Sequence, residues 1–107
     1  MGNRLDLHEE LCKIVDMKEL NGDRHVYFQP PESLRLNYPC IVYSINDIWK
    51  KNADNKTYMQ RTAYTVTVID PDPDSEIIQK VLELSMCSFD RSYISDNLNH
   101  YVFTLYF

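Results

Sequence analysis

Three aspartates alternate with prolines in Asp70-Pro71-Asp72-Pro73-Asp74, immediately before Ser75 and Glu76. Alternating carboxylates are the raw material of a calcium loop, because oxygen ligands spaced along a short segment converge on one ion. An EF-hand loop also needs ligands over twelve positions, a mid-loop glycine and a closing glutamate. Here two prolines interrupt and the segment has no glycine. Helix capping and the field at a helix N-terminus explain the same residues, so they are read as caps and not as metal ligands. His8, His25 and His100 are scattered over three elements. His8 and Cys12 stand at i, i+4 spacing, but one helical turn is also how any two core-facing side chains meet. A nucleophile needs a base, an orienting group and an oxyanion site. With only Gly2 and Gly22 in the chain, no glycine-rich turn exists to build the last, nor a loop to cradle phosphate. The cysteines Cys12, Cys40 and Cys87 are odd in number and widely spaced, with no C-x-x-C pair. They signal neither a disulfide framework nor a zinc knuckle, and read as small half-buried apolar side chains. The chain is therefore read as a non-enzyme, with no catalytic, cofactor-binding or metal-binding residue.

The other chemistry-bearing cluster is Trp49-Lys50-Lys51 with Asp54, Asn55, Lys56 and Tyr58. Basic residues interleaved with aromatics touch nucleic acid or a negative protein surface. Lysines at an exposed hairpin tip are also a common device for solubility. Solubility is the favoured reading as far as nucleic acid goes, and a protein contact is favoured for Trp49. These seven residues are the candidate interface.

What must position them is a hairpin. Cys40–Ile45 reads as a buried strand behind Pro39, and residues 46–57 as polar and turn-rich with a tip at Asp54-Asn55. Residues 58–69 form the longest strand signal, with Tyr64, Val66 and Val68 on one face. Twelve strand residues span about 40 Å. A compact domain of this length is only about 34 Å wide. The hairpin therefore overhangs the body. Residues 5–18 carry Leu7, Leu11, Ile14 and Val15 at helical spacing, with Asn3 or Asp6 as cap and Asn21-Gly22-Asp23 as stop. His25–Gln29 reads as a short strand ended by Pro30-Pro31. A second helix follows Asp74, with Ile77, Ile78, Val81 and Leu82 on its inner face. Residues 87–95 and 100–107 read as strands joined by a turn at 96–99. The last is apolar on both faces and so is placed centrally. The reading is one α+β domain over residues 1–107, an antiparallel sheet with two helices packed on one face and a protruding β-hairpin arm.

Composition narrows the function. The 107 residues hold 11 basic and 16 acidic side chains, a net charge of −5. That argues against a domain whose main task is gripping phosphate backbone, and leaves room for a wall that DNA slides past. No stretch approaches the roughly 18 apolar residues of a membrane span. The first residues have no apolar signal core, so a reducing cytosol is expected. Eight Tyr, four Phe and one Trp are more rings than so short a chain readily buries in one core. Tyr and Trp are also favoured at interfaces, which points to an oligomer or a partner-bound protein.

The runs HVYFQPP (25–31), YPCIVY (38–43), ADNKTY (53–58), VTVIDPDPDSEI (66–77) and CSFDRSYISDNLNHYVFTLYF (87–107), in this order, resemble a known family. It is that of the small neck proteins of long-tailed bacteriophages with non-contractile tails, variously called tail terminator, tail completion or minor capsid proteins. The resemblance covers about four-fifths of the chain, from His25 onward. It implies a structural subunit, without cofactor, that forms a ring of itself, in this family a hexamer. The ring caps the tail tube below, meets a head-completion or connector protein above, and surrounds double-stranded DNA without specific binding. It implies a place in the virion neck after assembly in the host bacterial cytoplasm, with no membrane contact. An acidic ring fits that role, because a like-charged wall does not hold the genome. Two alternatives stand beside it. One is another neck component, a head-completion (stopper) or joining protein. The other, from a different class, is a small metal-dependent enzyme using Asp70, Asp72, Asp74 and His100.

Overall fold

A computed structural model describes residues 4–16, 25–53, 56–84 and 86–107. The first helix, α1 (Arg4–Asp16), buries Leu7, Leu11, Ile14 and Val15, the positions set one turn apart by the sequence. The Asn21-Gly22-Asp23 stop and Asn3 lie outside the described residues. The chain then runs through β1 (Val26–Phe28), β2 (Cys40–Ala53), β3 (Lys56–Asp70), α2 (Glu76–Leu82), β4 (Cys87–Ser95) and β5 (Leu98–Tyr106). The strands form one sheet in the order β1-β2-β3-β5-β4. Mixed sheet and helices make this an α+β protein. Among the described residues, no helix is long and apolar enough to cross a membrane.

The sheet is not wholly antiparallel, as the sequence had suggested. β1 pairs with β2 in parallel, Val26 opposite Ile41 and Phe28 opposite Tyr43. The reason lies in residues 29–39, an irregular link long enough to carry the chain back to the start of β2 instead of turning it tightly. His25 fastens that link, its Nδ1 lying 2.7 Å from the Pro39 carbonyl oxygen. The remaining pairs are antiparallel. β5 lies inside the sheet as its apolar faces require, but between β3 and the edge strand β4, so the middle position belongs to β3.

Residues 46–57 differ most from expectation. They were read as loop, yet 46–53 continue β2 and Lys56 and Thr57 begin β3. The polar run from Asn46 to Thr57 shows no alternation of apolar and polar residues, so period-two patterning is silent there. Pairing across the hairpin supplies the order instead, with Trp49 opposite Arg61 and Ala53 opposite Lys56.

Alternate positions of three strands enter one buried cluster: Ile41 and Tyr43 of β2, Tyr64, Val66 and Val68 of β3, Phe103 and Leu105 of β5. The same cluster contains the α1 stripe and Ile77 and Val81 of α2. The molecule measures 51 × 29 × 25 Å, with a radius of gyration of 14.7 Å. A compact chain of this length would have about 13 Å. Fifteen residues of β3 at strand rise span about 50 Å, which accounts for the long axis.

Ser75, and not an aspartate, caps α2. Its Oγ accepts a hydrogen bond from the Ile77 N–H at 3.3 Å. Asp70 and Asp72 instead each accept from the N–H two residues on, at 2.8 and 2.9 Å, making successive Asx turns. Asn99 and Tyr101 of β5 then hold this proline-rich corner, donating to the carbonyls of Asp70, Pro71 and Pro73.

Candidate interaction surface

The hairpin of β2 and β3 has two unlike halves. Near the body, residues 63–70 of β3 pair with β5 on one side and β2 on the other. Beyond Ala63, residues 56–62 pair only with β2, apart from one bond from the Phe107 N–H to the Thr62 carbonyl. β2 changes at the same level. β1 covers only Ile41–Tyr43, and the last link on that side is the Ile45 N–H donating to Gln29 Oε1. The ladder register also shifts between Ile45 and Asp47, leaving Asn46 as an extra residue where the hairpin leaves the body. Such bulges bend a strand and increase its twist.

Five of the seven candidate interface residues fall on this distal half. Trp49, Lys50 and Lys51 lie on β2 opposite Arg61, Gln60 and Met59. Lys56 lies on β3 opposite Ala53, and Tyr58 falls where the register shifts between Lys51 and Asn52. Asp54 and Asn55 lie outside the described residues. Ile45 and Ile48, which sequence reasoning did not single out, are 42% and 51% exposed on β2.

A second surface was missed altogether. β4 is an edge strand, and every residue of it but Cys87 is exposed. It nonetheless carries Phe89, Tyr93 and Ile94, the last 74% exposed. Met86 is exposed just before it. The ring of Tyr93 stacks on His100 with centroids 4.6 Å apart, and Phe89 meets Phe103 edge-on at 5.7 Å. A shallow cavity of about 420 Å³ opens among Ser92, Tyr93, Ile94, Asn99 and Tyr101. A two-residue turn with Asp96 and Asn97 both at positive φ (52° and 63°) joins β4 to β5. This is the turn geometry that matches the twist of a hairpin. The signal in the sequence was the mixture within β4, where Ser88, Asp90, Arg91, Ser92 and Ser95 break up the apolar residues, as edge strands do.

The groups weighed for catalysis do not converge. His100 stands opposite Ile69 in the ladder and Asp70 opposite Asn99, so adjacent positions send the two side chains to opposite faces. Among the described residues, no three or more His, Cys, Asp or Glu side chains are grouped to hold a metal ion. Burial, reinforced by the charge of Asp70, pushes the Cys40 thiol up to about 12, and burial raises Cys87 too. Neither is a ready thiolate. His8 is engaged with the core. Its Nδ1 lies 2.7 Å from the hydroxyl of fully buried Tyr43, which accepts from Arg4 Nη1 at 3.3 Å. Arg4 also lies 4.4 Å above the Phe28 ring. Burial raises the Tyr43 phenol, and the Arg4 hydrogen bond and charge oppose this. This polar knot pins α1 to β1 and β2. What the described geometry offers for binding is two strand edges that carry exposed apolar side chains, Ile45 and Ile48 on β2 and Phe89, Tyr93 and Ile94 on β4.

No protein-family model matches the chain, and no curated protein matches it.

Proposed function

We propose that this protein is a ring-forming structural subunit of a bacteriophage neck, a tail terminator that closes the tail tube and joins it to the head around the DNA channel. The observation that carries the reading is the β2–β3 hairpin, whose distal half finds its ladder partners only within itself. Added to it are the order of sequence runs from His25 onward and the excess of interface aromatics. On this reading the distal half is an arm that protrudes from a body whose two helices cover one face of the sheet. Trp49, Lys50, Lys51, Asp54, Asn55, Lys56 and Tyr58 then lie at contacts with a neighbouring subunit, the tube protein below or the connector above.

The dimensions support a ring that admits DNA. Six bodies 25 to 29 Å wide, touching side by side in a ring, leave a hole of the same width. Duplex DNA is about 20 Å thick, judged from its groove depths. Six copies at −5 each make an acidic wall, which lets the genome pass without holding it.

Native mass spectrometry and electron microscopy of the protein, alone and with tail tubes, test this. Six copies in a ring with a bore wider than duplex DNA are expected. A closed two-fold dimer as the assembled form, or a bore that excludes duplex DNA, overturns it. Trp49→Ala should weaken assembly more than it lowers subunit stability. A variant that melts far lower yet assembles at the wild-type concentration would place Trp49 in the fold and not in the contact.

A further inference from the structure

We infer that subunits join by strand pairing, β4 of one copy adding antiparallel to the outer edge of residues 46–53 of β2 in the next copy. The inference rests on the ring reading and specifies its contact. The sheet has two edges that face opposite ways, and each offers an unpaired stretch of similar length. On one side stands β4, Cys87–Ser95, which pairs with β5 only. On the other, among the described residues no strand pairs with the outer edge of β2 past Ile45, because β1 stops at Phe28. Unpaired strand edges are templates for another strand.

Direction and symmetry select this pairing. Three antiparallel steps separate β2 from β4, so the two strands run opposite ways within one subunit. Within one subunit β4 lies level with the part of β2 that β1 covers, so a neighbour must be displaced sideways and also along the strands by about eight residues, roughly 27 Å, to bring its β4 antiparallel to residues 46–53 of the first copy's β2. That contact is heterologous, and it closes into a ring when the strands are inclined to the ring axis so that the offset adds no rise. Pairing β4 with β4, by contrast, needs a two-fold axis and stops at a dimer.

The side chains agree. Ile45 pairs with Tyr64 and Ile48 with Thr62, two residues away, so both isoleucines lie on the sheet face that holds the buried cluster. Phe89 pairs with Phe103, and Ile94 with Asn99 four residues from it, which places them on that face too. Of the eleven large apolar side chains exposed among the described residues, six are Ile45 and Ile48 on the free stretch of β2 and Met86, Phe89, Tyr93 and Ile94 on or beside β4. Formal charge differs in sign: the distal hairpin carries Lys50, Lys51, Lys56 and Arg61 against Asp47 and Asp54, whereas β4 and its flanking turns carry Glu83, Asp90 and Asp96 against Arg91, with Glu83 also paired to Lys80 and Asp90 to Arg91 within the subunit.

Disulfide trapping in the full chain, with Cys87→Ser to silence the nearby native thiol, tests the pairing. Ile48→Cys is combined in turn with Phe89→Cys, Ser92→Cys and Ile94→Cys, which sample the register along one face of β4. At least one combination should give, on mild oxidation of the assembled protein, a ladder of covalent multimers rising one chain at a time to the ring number. The single variants should give none. Ile94→Asp should raise the concentration for half-assembly at least about tenfold and leave the subunit's melting temperature within a few degrees of wild type. A ring that forms while all three combinations stay monomeric overturns the strand pairing and leaves the ring reading standing. A cross-linked dimer from Ile94→Cys alone shows β4 on β4 and overturns both, as does the absence of any assembly with or without tail tubes.

Discussion

Phe89 and Phe103 are the same residue type, opposite each other on adjacent strands and in edge-on contact, yet one is 50% exposed and the other fully buried. The contrast extends along the strands. Val102, Phe103 and Leu105 of β5 are buried, and β4 beside it is exposed from Ser88 to Ser95. The local residues differ in part, since Ser88, Asp90, Arg91, Ser92 and Ser95 interrupt the apolar residues of β4. Reach differs too: the buried side chains of α1 and α2 cluster with β2, β3 and β5, and of β4 the cluster touches only Cys87. A strand's environment is therefore decided by what packs over it, and β4, largely beyond that cover, leaves Phe89, Tyr93 and Ile94 exposed.

The comparison breaks most sharply under truncation. Phe103→Ala should cost about 3–5 kcal/mol in urea unfolding of the free subunit, because it opens a cavity in the shared cluster. Phe89→Ala should cost about 1 kcal/mol or less, since its pocket is half solvent. Equal losses would mean that β4 belongs to the core after all. Next in size, Tyr43→Phe should cost about 1–2 kcal/mol by deleting the hydroxyl that ties Arg4 and His8 to the sheet. The loss should vanish in a chain lacking residues 1–16 if that variant still folds. Ser75→Ala should cost about 1 kcal/mol, and Asp74→Ala less, which separates the true cap from its acidic neighbour.

The smallest effect near neutrality, and one that grows with alkalinity, comes from the buried thiol. Cys40 is held above its ordinary value of 9.0, at about 12, so the folded chain keeps its proton where the unfolded chain loses it. This contribution is fully present below pH 9.0 and is lost as pH rises from there towards 12. Tyr43 and Tyr64, also raised, act in the same direction. Unfolding midpoints should fall over that range in wild type and fall less in Cys40→Ala. In the native protein at pH 8, Cys40 should resist alkylation until the chain is unfolded.

The two helices, the buried half of β3 and the β4–β5 hairpin were legible because each has a period or a turn that belongs to one kind of element. Leu7, Leu11, Ile14 and Val15 repeat with the helix. Val66 and Val68 repeat with the strand, and Asp96-Asn97 tolerates positive φ. The parallel pairing of β1 was not legible, since it depends on the path of residues 29–39 and not on the composition of Val26–Phe28. The strand character of 46–53 was hidden for the opposite reason: its residues are mostly polar, so no alternation betrays it. Of the candidate surface, Trp49 was legible as a type that favours contacts, and the lysines as a device for solubility. The edge position of β4 had only its polar interruptions to signal it, because strand order is a property of the whole sheet.

The self-contained pairing of the distal hairpin also bears on how such a chain can change over evolutionary time. Matched insertions of two residues in each strand beyond Asn46 would lengthen the hairpin by about 7 Å and restore every side chain to its former face. β1, β5 and the buried cluster would not register the change. Most proteins pay for a new contact distance with compensating mutations in the core. Here the length of the hairpin's distal half is a nearly independent variable, while the rest of the sheet and its buried cluster stay the same.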